Sequence, residues 1–411
     1  MNPVRSITSN GMKTIERWFF FLFLFALPFQ ARFVLFRWTN PFNEWTAGFL
    51  WGTDILFGIL LILWLVRERP KFSRKDIFLA VLLIIAIASV TQALIPAAAL
   101  YRVIKLAEYV GVYFYFKHNR PSLAPIILSG IFQGLIGIAQ YIRQADLGLR
   151  LLGESVLDPN ATGVAVVAAQ GVAYLRAYGT LPHPNLLSAW LMLCLWVFAW
   201  WYMRRAHHRL WELSAFALML FAFYLTFSRV AIGLWGLGSL VLFLLLWRVH
   251  RKRLLELAGT AEVVSAVFAF LFWPQIQARL QVSTEDEAVS QRVFYTKLSA
   301  ESSGEHLWLG IGIGQFVPML MKTLPHYPRV IYQPTHNVYL LILNEVGIFG
   351  FLVFFLFLVI LLKRPFQISP ALGVLMVAFL ALGLFDHFFW TLQQGGLMMW
   401  GLLGAVAYDK L

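Results

Sequence analysis

Gln333-Pro-Thr-His-Asn-Val-Tyr-Leu-Leu-Ile-Leu-Asn-Glu-Val-Gly-Ile-Phe-Gly350 joins the longest polar region of the chain to a hydrophobic run that continues to Leu362. Such a run is long enough to cross a bilayer, because about 20 apolar residues rising about 1.5 Å each span the hydrocarbon. His336 and Asn337 therefore stand where a polar loop enters the membrane. An ionisable side chain at that boundary reaches both a soluble acceptor and the head group of a lipid-linked donor.

Working outward, the composition agrees with a membrane reading. The chain has 411 residues, 60% hydrophobic and 13% charged, with a mean hydropathy of +0.72. A soluble domain does not hide that much apolar surface, so we expect an all-α polytopic integral membrane protein. Hydrophobic runs at about 17–30, 46–66, 77–94, 99–116, 123–142, 185–203, 213–227, 230–247, 257–273, 338–362, 369–386 and 388–408 give about twelve candidate transmembrane helices. The basic Met1–Arg17 segment before the first run looks like a secretory signal, but the topology is consistent only if it is retained. The single cysteine, Cys194, lies in an apolar run and excludes a disulfide framework.

The net charge of +13 does not point to nucleic acid. Most basic residues fall in short clusters: Arg5 to Arg17, Arg67 to Lys75, Lys117 and Arg120, Arg204 to Arg209, Arg248 to Arg253, Lys363 and Arg364, and Lys410. Twelve spans put all of these inside, as the positive-inside rule requires, with both termini cytoplasmic. The rule disfavours the others, which fall at outer helix ends or in outer loops. The chain is thereby divided into 1–142 (helices 1–5), 143–184 (first outer loop), 185–273 (helices 6–9), 274–337 (second outer loop) and 338–411 (helices 10–12). In a protein of otherwise short connections, long loops carry function. The first reads as short strands near Thr162–Arg176 and a turn at Gly179–Pro184. The second opens on Gln275–Leu280, passes the acidic Glu285–Glu287, and then forms a helix over 286–300 with Val289, Val293 and Leu298 toward one side, lying along the membrane surface.

Three outer arginines carry the chemical expectation. Arg229 follows Phe227-Ser228 in a very tight turn, Arg176 precedes Gly179-Thr-Leu-Pro-His-Pro-Asn185, and Arg292 lies on the second-loop helix. A guanidinium fork donates two parallel hydrogen bonds and stays charged, which suits a diphosphate head group and its departure as a leaving group. His336 is the candidate base, since a near-neutral imidazole takes a proton from a hydroxyl at working pH. His183, held between prolines, reads as a shaping residue with a smaller claim on chemistry. Asn185 beside it, Asn337 as a helix cap, and Arg102 and Lys105 at an outer helix end are secondary candidates. Gly310-Ile-Gly-Ile-Gly-Gln-Phe316 is not a dinucleotide or phosphate-loop pattern and reads as a close-packing segment. No Asp-x-Asp, His-x-x-x-His or cysteine pair suggests a metal or other cofactor. The sparse charges Asp54, Glu108 and Asp386 suit a transporter instead, although Glu108 is spaced to pair with Lys105.

The motifs resemble the O-antigen ligase and polymerase family of bacterial envelope glycan assembly. The resemblance is carried, in order, by Arg176-Ala-Tyr-Gly-Thr-Leu-Pro-His-Pro-Asn-Leu186, Phe227-Ser-Arg-Val-Ala231, Arg292 ahead of Trp308-Leu-Gly-Ile-Gly-Ile-Gly-Gln-Phe316, and His336-Asn-Val-Tyr-Leu340 with Glu345-Val-Gly-Ile-Phe-Gly350. It spans roughly residues 160–360. It implies a GT-C-like fold and a metal-independent, inverting glycosyltransferase of the cytoplasmic membrane, working at its outer face. The donor it implies is a glycan on undecaprenyl diphosphate; the acceptor is lipid A–core, a second lipid-linked glycan or a protein. On that resemblance His336 is the general base and Arg176, Arg229 and Arg292 hold the diphosphate. The alternative class is a polytopic transporter or flippase for an anionic or lipid-linked sugar, which needs its key residues accessible from both sides.

Overall fold

The computed structural model describes residues 3–205, 209–281 and 287–408; Glu285 and Lys410, invoked above, lie outside them. The order is α1 (Pro3–Ala26), β1 (Arg32–Arg37), β2 (Ala47–Trp51), α2 (Gly52–Arg67), α3 (Ile77–Ser89), α4 (Pro96–His118) and α5 (Leu123–Arg143). Next come β3 (Val166–Ala169), β4 (Val172–Leu175), α6 (Pro184–Met203), α7 (Leu210–Tyr224), α8 (Arg229–Leu271), α9 (Trp273–Leu280) and α10 (Glu287–Glu305). α11 (Phe316–Thr323), α12 (Val338–Ile368), α13 (Pro370–Leu382), α14 (Phe388–Thr391) and α15 (Gln393–Val406) complete it. The protein is mostly helical. Among the described residues five helical segments are long and apolar enough to cross a membrane: Arg74–Gln92, Leu123–Arg143, Pro184–Met203, Arg229–Leu271 and Val338–Ile368.

The helices pack as a bundle in which α4 lies on α15, α3 on α12, α5 on α6 and α7, and α8 on α13. α8 is recorded as one helix of 43 residues, but His250 has non-helical angles (φ −126°, ψ 22°). Trp235 and Phe268 would lie about 50 Å apart on a straight helix. Both rings nevertheless meet Tyr224, with centroids at 6.2 and 5.2 Å. The chain therefore doubles back at His250, within the Arg248–Arg253 basic cluster, and the two hydrophobic runs read from the sequence remain two antiparallel limbs.

α12 is broken at Gly347 (φ 67°, ψ −174°). The glycine-rich segment fills the break. Ile311 N–H donates to Asn344 O at 2.8 Å, and Ile348 N–H donates to Leu307 O at 2.8 Å. A side chain on Gly347 would put its Cβ 2.2 Å from Trp308 O, so only glycine allows this approach. Broken helices are tolerated at membrane depth only where other protein groups satisfy the freed backbone, and here residues 307–311 do so.

Several expectations are corrected. Residues 46–66 are not one helix: 47–51 pair antiparallel with 32–37 as a hairpin, and α2 begins only at Gly52. The 369–386 run shortens to the 13 residues of α13, about 20 Å of helix, because Gly383–His387 leave it for the loop end of the bundle. The strands expected in the first long loop form as β3–β4, closed by Gln170 (φ 52°) and Gly171 (φ 78°), a left-handed pair suited to a tight hairpin. α10 runs on to Glu305, and its expected apolar side forms only in part: Leu298 packs against a small core, Val293 is exposed, Tyr295 is fully buried instead, and the Val289 side chain lies outside the described ones. The helix packs on α12, through that core, which Tyr295 shares with Phe316, Tyr332 and Leu341.

Candidate functional site

The first and second long loops meet at one end of the bundle. Arg176 leaves β4 and is buried, 6% exposed. Its Nε donates to Thr226 O at 2.6 Å and its Nη2 to Asn185 Oδ1 at 2.9 Å. Asn185 Nδ2 in turn donates to Asp386 Oδ2 at 2.9 Å. One hydrogen-bonded chain thus joins β4, the α7–α8 turn, the start of α6 and the segment after α13. That turn is sharp because Phe227 takes a left-handed conformation (φ 46°), a strain of order 1–3 kcal/mol of the kind that concentrates at functional sites. It leaves Thr226 O and Phe227 O facing guanidinium groups.

Arg229 opens α8 and donates from Nη1 to Arg279 O at 3.3 Å, while Arg279 Nη2 reaches Phe227 O at 3.5 Å. Burial, and then the like charges of Arg279 and Arg229, push the Arg176 guanidinium below its usual value. Among the described residues Arg176 forms no ion pair. Three guanidinium groups crowded this way make a receptor for an anion with several oxygens.

His336 precedes the Asn337 cap of α12, whose Oδ1 accepts from Tyr339 N–H at 3.0 Å and Leu340 N–H at 3.1 Å. The imidazole is half-buried, stacked on Tyr295 (centroids 5.7 Å) and edge-on to His387 (5.2 Å). Burial, reinforced by Arg292 against the opposing pull of Asp386, holds it below the ordinary imidazole value. Among the described residues, His336 Nδ1 and Arg292 Nε are both buried without a hydrogen-bond partner. Polar atoms left this way in a protein interior call for a ligand or a function.

His387 was not singled out from the sequence. It is buried, its Nδ1 lies 2.7 Å from Thr391 Oγ1, and its ring meets Trp45 at 5.3 Å. Burial lowers it to about 3 despite the nearby Asp386 carboxylate, so it is neutral. Trp45 comes from the tip of the unexpected β1–β2 hairpin, which thereby reaches the site. The signal for His387 is its place beside Asp386 between two apolar runs, where the sequence reading counts Asp386 alone, as one of the sparse charges. Arg279 counted only as one more outer basic residue.

The secondary candidates separate. His183 caps α6, with Nδ1 accepting from Asn185 N–H at 3.1 Å, and burial followed by Arg176 lowers it to about 3. Asn337 is a cap and Asn185 a bridge. Arg102 touches the edge of the site, donating from Nη1 to Thr391 O at 2.9 Å. Lys105 lies elsewhere, paired with Asp54 at 2.8 Å and with Glu108. A cavity of about 30 Å³, lined by Arg102, Lys105, Glu345 and Trp390 among others, sits between the two groups. Among the described residues no three His, Cys, Asp or Glu side chains are grouped to hold a metal ion.

These features define a helical membrane protein with a cationic, histidine-bearing site at one end of its bundle. Residues 214–355 match the O-antigen ligase family model, which supports assignment of the chain to the O-antigen ligase/polymerase family. The match includes Arg229, Arg279, Arg292 and His336; Arg176, Asn185 and Asp386 lie outside it. No curated protein matches the chain.

Proposed function

We propose that the protein transfers a glycan from undecaprenyl diphosphate to an acceptor hydroxyl, with inversion and without a metal, at the outer face of the cytoplasmic membrane. The acceptor is lipid A–core or a second lipid-linked glycan. Neutral His336 takes the acceptor proton as the oxygen attacks the anomeric carbon. The bond from that carbon to the diphosphate oxygen breaks, and undecaprenyl diphosphate leaves with the electron pair. Arg176, Arg229 and Arg292, joined by Arg279, stabilise the charge that develops on the diphosphate, so each guanidinium acts most strongly as the bond breaks. We take the whole chain as a twelve-span, GT-C-like fold divided at 143–184 and 274–337, with both termini cytoplasmic.

The observation that carries this reading is the half-buried His336, whose Nδ1 has no hydrogen-bond partner among the described residues and which feels the charge of Arg292. The test is transfer by purified protein from a polyprenyl-diphosphate-linked glycan, with lipid A–core and free donor offered together as acceptors. His336→Ala should lose about 10²- to 10⁴-fold in transfer, the ordinary contribution of a general base, while still binding donor, and chelator should leave the wild type unchanged. Near-normal turnover by His336→Ala, or inhibition by chelator reversed by a divalent ion, would sink the proposal.

A further inference from the structure

At the end of α6 and α13 remote from the arginine–histidine site lies a cavity of about 380 Å³, within the ~300–1,000 Å³ of small-molecule sites. Its walls are apolar residues of α1, α5, α6, α13 and α15. On α6 they run as a ladder from Arg204 through Trp200, Trp196 and Leu193 to Trp190, a depth of about 21 Å at the helical rise. That exceeds the ~15 Å of one leaflet's hydrocarbon. The rim is different. Arg120, Arg204, Ser369 and Tyr408 all line the cavity, and the two arginines are exposed.

Neither arginine has a carboxylate partner among the described residues. Arg120 lies over the Tyr408 ring at 4.9 Å and Arg204 over the Trp200 ring at 3.8 Å, which steadies both side chains beside the opening. Ser369 is 6% exposed, and its Oγ is buried with no partner. A long apolar slot, two unpaired guanidinium groups and an orphan hydroxyl at its mouth match one kind of molecule.

We propose that this cavity binds an anionic glycerophospholipid, with its phosphate between Arg120 and Arg204, an oxygen accepting from Ser369, and one acyl chain laid along the α6 ladder. The guanidinium forks suit phosphate oxygens. Among the described residues no acidic side chain lines the cavity to receive the amine of a zwitterionic head group. A soluble anion would leave the apolar depth empty. The lipid fills the space between α1, α5, α6, α13 and α15, and so acts as a structural ligand of the bundle, independent of the glycan chemistry at the other end.

The experiment reconstitutes the purified full chain in nanodiscs containing equal phosphatidylglycerol and phosphatidylethanolamine, then counts the lipids retained by native mass spectrometry. Wild type should keep one phosphatidylglycerol in preference to phosphatidylethanolamine. Arg120→Gln with Arg204→Gln should weaken that preference roughly 30-fold, two surface arginines' worth of attraction. Ala405→Trp keeps both guanidinium groups but fills the slot, and should also lose the lipid; either variant suffices if the other fails to fold. Equal retention of the two lipids by wild type, unchanged retention by a folded variant, or displacement by added polyprenyl phosphate would overturn the assignment.

Discussion

Two buried charged clusters of the molecule are built on opposite plans. Around Lys105 every charge is answered: Asp54 at 2.8 Å, Glu108 beside it, and Gln393 Nε2 donating to Asp54 at 2.6 Å and to Glu108 at 3.2 Å. Around Arg176, the like charges of Arg279 and Arg229 outweigh the pull of Asp386, and two polar atoms, on His336 and Arg292, have no hydrogen-bond partner among the described residues. The first cluster is complete without a ligand. The second is costly until an anion arrives. Surplus, more than charge itself, separates a site from a brace.

The sharpest way to break this comparison is Lys105→Met. It strands Asp54 and Glu108 inside the bundle, and we expect a loss of about 3–5 kcal/mol, read as a large fall in thermal unfolding temperature. Adding Asp54→Asn and Glu108→Gln should restore most of it, with transfer per folded molecule kept throughout. In the surplus cluster, Arg229→Lys keeps the charge but loses the fork, and should cost roughly 10²-fold in transfer with little change in melting. If lysine serves as well as arginine there, the role is merely electrostatic. Arg279→Gln should raise the donor KM about tenfold, the effect of one charge-assisted contact, with little change in melting. A destabilised Arg279→Gln protein would show that the guanidinium is a brace after all.

The smallest expected effect is on the pH profile. A histidine held below its ordinary value stays neutral, and therefore basic, to lower pH. The acid limb of kcat/KM should accordingly fall below the ~6.5 of a free imidazole. A limb at or above that value would remove His336 as the buried base.

The membrane class, the helical runs, the β3–β4 strands, the tight Phe227–Ser228 turn and the α12 cap were legible in the sequence, because each depends on near neighbours. The β1–β2 hairpin was not. Arg32-Phe-Val-Leu-Phe-Arg37 alternates weakly, and residues 47–51 are as apolar as the start of a span. The gathering of the site was legible only in outline. Arg176, Arg229, Arg292 and His336 are motif residues, but Asp386 and His387 matter through contacts with Asn185, Thr391 and His336, and Asn185 and Asp386 are 201 residues apart. Nothing local marks such a meeting. The apolar side of α10 was misjudged in part for a related reason: its burial is set by Tyr295 docking at the head of α12, which a periodicity of aliphatic residues does not report.

The break in α12 bears on how the protein is made. Its open carbonyl at Asn344 and its N–H at Ile348 are answered by residues 307–311, which leave the ribosome before the helix does. Synthesis proceeds from the N-terminus, and earlier segments are available to later ones. The glycine-rich strand is thus waiting when the interrupted helix emerges, and the helix never has to enter lipid with a gap it cannot fill. Order of translation, on this view, is one of the things that the sequence Gly310-Ile-Gly-Ile-Gly314 encodes.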